Sequence, residues 1–351
     1  MNLENRISAF EQLGLSLDKI ILNLQGADLA LTAEEEKFWD MVHLAKSYNG
    51  WFSLDSVRNA CEGIRYFLEP ANLNDWILPY KEGIRNLKNK KNVLIVMAGN
   101  IPMVGFHDVL CVLICGQKAS LKFSSDDHKL LPALLDVLMA IEPRFKEEIE
   151  FLERPTKGFN VVIATGSDNT ARYFEYYFGK HPNIIRKNRI SVAVLSGKES
   201  ADELKALAKD VFQYYGLGCR NVSKIFVPKN YSFNALMEAF KSFLPYLENN
   251  KYQNNLEYQK AVMLLNKDPF IDGGFIFLKE AETPFTAVSV LNYEQYSDPA
   301  ELKPFFEKYK AKIQCVIGAY ENALPFGTAQ SPQLCDYADG IDTMQFLVEL
   351  N

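Results

Sequence analysis

Between residues 92 and 195 the sequence alternates short apolar runs with longer amphipathic stretches, and this alternation limits the fold more than any other feature. The runs 93–98, 119–123, 160–165 and 190–195 are near-continuous in Val, Ile, Leu, Ala and Phe and too short for stable helices. The stretches between them, 104–115, 128–141 and 169–178, are long enough for helices. Buried strands that alternate with helices predict a parallel sheet covered on both faces. Ligands of such sheets bind beyond the carboxyl ends of the strands, in the strand-to-helix loops. Here those loops are Gly99-Asn100-Ile101-Pro102, Ser124-Ser125-Asp126 and Gly166-Ser167-Asp168.

The flanking regions read differently. The first eighty residues are helices joined by polar turns, including 32–47, with Thr32 as N-cap and Glu35 closing a capping box, and 53–68. Tyr48-Asn49-Gly50-Trp51-Phe52 between them reads as a turn with two aromatic anchors. A long helix over 200–216 leads into a second strand–helix series. Its strands are expected at 224–227, 275–278, 286–291 and 313–317, and its helices at 233–247 and 299–310. The Asn- and Gln-rich stretch 249–255 reads as an exposed loop, and a domain junction falls between Leu195 and Gly218.

Composition excludes several classes. At 351 residues the chain can bury the cores of two or three domains. A net charge of −6 argues against general nucleic-acid binding, while leaving open a local basic patch, for instance around Arg186, Lys187 and Arg189. No apolar run reaches the length of a membrane span, and the acidic N-terminus is not a signal peptide, so a soluble cytoplasmic protein is expected. The six cysteines are scattered without a CxxC pair and there are four histidines, which is neither a disulfide framework nor a zinc pattern. No metal is expected. Cys111 and Cys115, His43, His107, His128 and His181, and Tyr176-Tyr177-Phe178 read as packing or surface residues, with His107 the one histidine near the Asn100 loop.

Four segments remain that could carry chemistry, although GxGxxG is absent. Met97-Ala98-Gly99-Asn100-Ile101-Pro102 opens a helix, and by itself is an ordinary turn with proline at the first helical position. Lys122, with Ser124 and Ser125, ends a strand where a ribose or phosphate could be held, or is a solvated lysine. Thr165-Gly166-Ser167 precedes a helix whose free N–H groups suit a pyrophosphate, or is a plain cap. Cys219 follows Gly216 and Gly218, which let another molecule approach the sulfur closely. Arg220 and Lys224 are placed to favour its thiolate, the alternative being a small buried filler.

Taken in order, the four segments resemble the aldehyde dehydrogenase superfamily. More narrowly, the chain is similar to bacterial fatty acyl-CoA reductases related to LuxC. The likeness includes Asn49-Gly50-Trp51-Phe52, Trp76, Gly99-Asn100-Ile101-Pro102, Gly218-Cys219-Arg220, Gln314-Cys315-Val316-Ile317-Gly318 and Asp339-Gly340-Ile341-Asp342. It implies an α/β, aldehyde dehydrogenase-like fold. A helical N-terminal segment (1–85) would pack on a Rossmann-type nicotinamide cofactor domain (86–197, with 328–351 returning), followed by an α/β catalytic domain (198–327). It makes Cys219 the nucleophile and gives Asn100, with the Cys219 backbone N–H, the oxyanion. Lys122, Ser124 and Ser125 would face the adenosine ribose, Thr165, Gly166 and Ser167 the pyrophosphate, and Gln314 the nicotinamide ribose.

Two departures narrow this expectation. Oxidising relatives carry a general-base glutamate where this chain reads Arg186-Lys187-Asn188-Arg189-Ile190. Hydrolysis of an acyl-enzyme needs a base to activate water, whereas its reduction does not. The expected function is therefore reduction of an acyl thioester to the aldehyde, the partner being acyl-CoA or an acyl-carrier protein. Ser125 stands where NAD-preferring relatives often place a glutamate, which points to NADPH (NADP) as cofactor. The alternatives are an acyl-phosphate reductase, an aldehyde oxidiser, or a non-catalytic scaffold binding acyl carriers. Superfamily members often form a homo-oligomer through a protruding strand pair, and this sequence has no long insertion that clearly supplies one.

Overall fold

The computed structural model describes residues 1–154 and 158–350. These form two compact units, Met1–Lys187 together with the chain from Gln333 onward, and Asn188–Pro332.

The first unit begins with five helices, α1 (Leu3–Leu24), α2 (Ala33–Tyr48), α3 (Leu54–Phe67), α4 (Pro70–Ile77) and α5 (Lys81–Asn86). Asn2 caps α1, and the expected capping box closes reciprocally between Thr32 and Glu35 at the start of α2. Glu35 also pairs with Lys19 of α1 at 3.1 Å, fastening the two helices. Phe10 of α1 packs edge-on against Phe106 and Phe145, centroids 6.4 and 5.7 Å away.

The sheet follows as β1 (Asn92–Val96), α6 (Phe106–Ile114), β2 (Lys118–Lys122), α7 (Leu130–Ile141), β3 (Ile149–Phe151), β4 (Val161–Thr165), α8 (Asp168–Phe178) and β5 (Asn183–Arg186). Its order is β3-β2-β1-β4-β5, all parallel. Chain direction across the sheet reverses between β1 and β4, the topological switch point where doubly wound sheets open a crevice. The loops after β2, β1 and β4 therefore lie side by side at one carboxyl edge.

Behind that edge, the Arg186 guanidinium at the end of β5 is buried. It bonds Asp108 of α6 at 2.6 Å and the Thr343 hydroxyl at 2.9 Å. Lys187 pairs with Glu175 at 2.8 Å. Of the three cations at 186–189, the first is thus spent inside the unit and the second pairs with α8.

The second unit runs β6 (Ile190–Val194), α9 (Ala201–Phe212), β7 (Val222–Pro228), α10 (Asn234–Phe240), α11 (Asn250–Asn266), β8 (Ile271–Asp272), β9 (Phe277–Glu280), β10 (Val290–Tyr296), α12 (Lys303–Tyr309) and β11 (Ile313–Gly318). Its sheet order is β11-β6-β7-β10-β9-β8, parallel except for β8 against β9. The chain then returns to the first unit through α13 (Thr343–Val348).

The two faces of the second sheet follow strand alternation. Ala193, Leu195, Ile225 and Val227 enter the larger core under α9 and α10, while Val192, Val194 and Phe226 face a second core with Tyr296 and Leu302.

Several local expectations are corrected. The strand at 190–194 pairs with β7 and β11 in the second sheet, while β5, whose apolar content is only Ile184 and Ile185, closes the first. The stretch 249–255 is the start of α11: Asn249 caps it by accepting from the N–H groups of Lys251 and Tyr252, and Tyr252 and Leu256 are buried. The helix expected over 200–216 ends at Phe212, the strand expected at 286–291 is β10 at Val290–Tyr296, and only Asn234–Phe240 of 233–247 is α-helical. Tyr176 and Tyr177 are 81% and 67% exposed, so of that aromatic cluster Phe178 alone packs inward.

Removing one partner of a buried ion pair leaves the other charge uncompensated. Asp108→Ala is therefore expected to destabilise the chain by about 3–5 kcal/mol, read from the urea unfolding midpoint and slope. A loss below about 1 kcal/mol would show that Arg186 is not committed to Asp108.

Candidate active site

In the first unit, β1 runs into Met97-Ala98-Gly99-Asn100-Ile101-Pro102-Met103. Gly99 lies flat against the loop after β2: a Cβ there would sit 2.6 Å from both Cβ and Oγ of Ser124 and 3.1 Å from Cβ of Asp126. The two loops are nested, and only glycine fits the seam. Met103 takes the left-handed conformation (φ 53°) and donates its N–H to Asp127 Oδ2 at 2.6 Å. Asp127 is 4% exposed. Burial pushes its carboxyl up to about 6, even though the N–H groups of Met103 and Leu130 oppose the shift. The side-chain amide of Asn49 donates to the Asp126 carbonyl at 3.2 Å, so the aromatic turn secures the same loop. Asn100 stands exposed between these anchors.

The neighbouring expected residues take the same edge. Lys122 Nζ donates to the Phe123 carbonyl at 2.6 Å, and Ser124 Oγ accepts from the Asp126 N–H at 3.2 Å. Ser125 is exposed, and its carbonyl meets the His128 ring at 2.8 Å. Thr165 ends β4, and Gly166 donates its N–H to the Arg186 carbonyl at 3.2 Å. A Cβ on Gly166 would crowd Thr170 at 3.0 Å. Ser167 caps α8, its Oγ accepting from the Thr170 N–H at 3.2 Å. The structure thus places Asn100, Lys122, Ser124, Ser125, Thr165, Gly166 and Ser167 on the ends of three adjacent strands. A nucleotide suits such an edge, because the sheet has its switch point there and the Gly99 seam lets backbone come close.

In the second unit, the segment before Cys219 is strained. Tyr214 (φ 55°), Tyr215 (φ 58°) and Gly216 (φ 77°) are left-handed in succession. The two non-glycine residues cost about 1–3 kcal/mol each, so surrounding structure must hold them. The Leu217 N–H donates to the Tyr214 carbonyl at 3.1 Å, and the Tyr215 ring lies 4.2 Å from that of Tyr246.

Asn221 then anchors the turn. Its Oδ1 accepts from the Gly218 N–H at 2.8 Å, and its Nδ2 donates to the carbonyls of Asp210, Val211 and Gln213 at 3.1, 3.2 and 2.8 Å. It satisfies the carbonyls left open where α9 ends, and clamps the exposed Cys219 turn with the same amide. Asp210, wholly buried, accepts from the N–H groups of Gly327 and Ala329 at 2.6 and 3.0 Å, and burial pushes its carboxyl up to about 6. Arg220 Nε donates to the Ala329 carbonyl.

Lys224 is not the partner of Cys219 that the sequence suggests. On β7 it shares a face with Phe226, and its Nζ bonds the Glu294 carboxylate and the carbonyls of Ala281 and Glu282 at 2.8 and 2.7 Å. It also lies 4.9 Å from the Phe226 ring centroid and 4.6 Å from that of Phe305. Burial lowers its basicity, with Glu294 opposing.

The unexpected neighbour of Cys219 is Ser191, at the start of β6. Its buried hydroxyl donates to the Cys219 carbonyl at 3.1 Å, accepts from the Cys315 N–H at 3.2 Å, and lies 2.9 Å from Cys315 Sγ. Gln314, half-buried on β11, sits in the same irregular register, between Ile313 and Val316. Cys219, Ser191, Gln314 and Cys315 therefore gather at the amino end of this sheet.

Sequence reasoning missed Asn221, Ser191 and Asp127, and the role of Asn49 as an anchor of the Asp126 loop. A usable signal existed for Asn221: a short polar side chain soon after a glycine-rich helix end is well suited to take up open carbonyls. The other three carry no periodic mark. His107 is half-buried and packs against Phe67, Trp76 and Tyr337, contacting the Leu334 carbonyl at 3.0 Å, with desolvation lowering its basicity. It is a packing histidine. Among the described residues no helix is long and apolar enough to cross a membrane, and no cluster of three His, Cys, Asp or Glu could hold a metal.

Comparison with known proteins agrees with this architecture. No curated protein matches the chain. Proline utilization A from Corynebacterium freiburgense superposes with a TM-score of 0.58 at 12% identity, over 90% of this chain. The chain spans 37% of that much longer protein. An aldehyde dehydrogenase of Bacillus cereus, solved with NAD+, gives 0.61 at 13% identity, over 92% of this chain and 72% of that one. The aldehyde dehydrogenase KauB of Pseudomonas aeruginosa gives 0.62 at 12%, over 92% and 73%. These likenesses establish an aldehyde dehydrogenase-like α/β fold. Residues 23–253, well over half of the chain, match the acyl-CoA reductase (LuxC) family model. With this match, the chain belongs to the acyl-CoA reductase (LuxC) family of oxidoreductases, built on an aldehyde dehydrogenase-like fold.

Proposed function

We propose that the chain reduces an acyl thioester, carried on CoA or on an acyl-carrier protein, to the aldehyde through an acyl-S-Cys219 intermediate, with NADPH as cofactor. The observation that carries this reading is the Cys219 turn: an exposed thiol on a strained, multiply anchored loop. A nucleophile gains from such anchoring, because the attacking atom is held in place before the substrate arrives.

In this reading the Cys219 thiolate attacks the thioester carbonyl, the S–C bond forms, and the CoA or carrier thiol leaves. The developing oxyanion is met by the Cys219 backbone N–H and, on the family resemblance, by the Asn100 amide. Lys122, Ser124 and Ser125 would hold the adenosine ribose, Thr165, Gly166 and Ser167 the pyrophosphate, and Gln314 the nicotinamide ribose. The nicotinamide supplies hydride when bound. Release of the aldehyde returns Cys219 to its thiolate. The first sheet would be the cofactor-binding part of the chain and the second unit its catalytic part.

Reduction is favoured over oxidation by the segment 186–190. It offers no carboxylate to activate water, and its Arg186 is already bound to Asp108. NADPH is favoured by Ser125, which brings no negative charge against a 2′-phosphate, and by Lys122 on the same strand end.

Three outcomes are expected. Cys219→Ala abolishes both covalent acylation by acyl-CoA, read by intact mass, and aldehyde formation, while nucleotide binding persists; turnover near the wild-type rate would refute the nucleophile. Asn100→Ala lowers the rate of acylation by roughly a hundredfold or more, as the loss of an oxyanion donor does, and an unchanged rate removes Asn100 from the site. Steady-state kinetics with the two nucleotides should show higher kcat/KM for NADPH than for NADH; comparable values would sink the preference. In the same assays, turnover of acyl phosphate instead of thioester would move the chain to the alternative reductase.

A further inference from the structure

We infer that Cys315 is a resolving thiol for Cys219: after a hydroperoxide oxidises Cys219, the two close an intramolecular disulfide that protects the nucleophile. The inference rests on the reading of Cys219 as the reactive thiol, but concerns a modification separate from turnover.

The geometry begins with Ser191. Its side chain is wholly buried, and it has one hydroxyl proton and two lone pairs. The proton goes to the Cys219 carbonyl at 3.1 Å, and one lone pair takes the Cys315 N–H at 3.2 Å. At 2.9 Å from the same oxygen, Cys315 Sγ is left to donate its S–H to the second lone pair. One buried hydroxyl thus joins the backbone of the Cys219 turn to the sulfur of Cys315.

The other cysteines are placed differently. Cys61, Cys111 and Cys115 are buried in the first unit, and burial pushes the thiols of Cys61 and Cys115 up to about 12. They are inert packing. Cys335 also belongs to the first unit. Within the second unit, Cys219 is exposed to a solute oxidant and Cys315 is only half-buried, so Cys219 is the more accessible of the two. That division of exposure suits a sensor thiol and a resolving thiol.

The chemistry balances in two steps. The Cys219 thiolate attacks one peroxide oxygen: an S–O bond forms, the O–O bond breaks, sulfur loses two electrons, and the departing oxygen takes a proton as water or alcohol. Cys315 sulfur then attacks Cys219 sulfur. The S–S bond forms, the S–O bond breaks, and hydroxide leaves with the Cys315 proton as water. Without the second thiol, the sulfenic acid proceeds to the irreversible sulfinic acid.

The full-length chain, free of acyl substrate, is treated with a small excess of hydrogen peroxide, alkylated, and analysed by intact mass and non-reducing peptide mapping. Expected are the loss of two hydrogens and a peptide joining Cys219 to Cys315, with acylation by acyl-CoA lost and then restored by dithiothreitol. In Cys315→Ser, Cys219 should instead gain two oxygens, and dithiothreitol should restore nothing. Oxidation of Cys219 without the joined peptide, no oxidation of Cys219 at all, or full recovery of Cys315→Ser would each overturn the inference. Should the variant misfold, the wild-type peptide map decides alone. A joined peptide in a chain that acyl-CoA never acylates would refute the reductase reading and leave this inference standing.

Discussion

The second unit depends on what the Asn221 side chain does. An α-helix ends with carbonyls that have no intrahelical partner, and buried carbonyls without partners are costly. At the end of α9, the carbonyls of Asp210, Val211 and Gln213 share the two protons of the Asn221 amide nitrogen, while the amide oxygen holds the Gly218 N–H. Because the helix is closed in this way, the chain can turn through Tyr214, Tyr215 and Gly216 in the left-handed region without leaving buried polar groups open. That turn swings the next residues onto the amino end of the sheet, where Ser191 catches the Cys219 carbonyl. Remove the amide, and the left-handed turn, the Cys219 loop and the contact to β6 lose a common support.

The first unit solves a different problem with different means. Its loops must approach one another closely at the carboxyl edge, so the seam is built from a missing side chain. Gly99 and Ser124 are nearer than any Cβ would permit. Asp127 then holds Met103 in a conformation that an L-residue rarely takes. A carboxylate buried for this purpose is expensive to keep charged, which is why its affinity for a proton rises. The two units resemble each other in this respect: Asp210 is raised in the same way while gathering the N–H groups of Gly327 and Ala329.

Much of the first sheet was legible because near-continuous apolar runs leave no doubt that a strand is buried on both faces. The runs say nothing about partners. The strand at 190–194 therefore seemed to continue the first series, although its hydrogen bonds are to β7 and β11. The weak strand β5 escaped notice because Ile184 and Ile185 are too few to stand out. The loops that could hold a nucleotide were found from glycine, hydroxyl and proline punctuation at strand ends, a local signal. The anchors of those loops were not, since Asn49 is far from Asp126 in sequence and Ser191 is far from Cys219. A long-range hydrogen bond leaves no mark on either of its two residues. The tract 249–255 misled for a related reason: asparagine serves loops and helix caps equally, and only the burial of Tyr252 and Leu256 decides.

Lys224 shows how far a cation's position in sequence can mislead about its position in space. Five residues after Cys219, it looks suited to favour a thiolate, but strand alternation turns it to the face of Phe226. There Glu294, two carbonyls and two aromatic rings occupy it. Moving a buried ammonium out of such a set of partners would cost more than the attraction of a thiolate could return. Its charge is thus committed to the packing of β7, β10 and α12. Arg220 is adjacent in the chain, but its Nε is directed to the Ala329 carbonyl, so it ties down the loop as well as bringing charge. The backbone of the turn is oriented by Asn221, which holds the Gly218 N–H. The shape of the Cys219 loop thus depends on the same side chain that closes the end of α9.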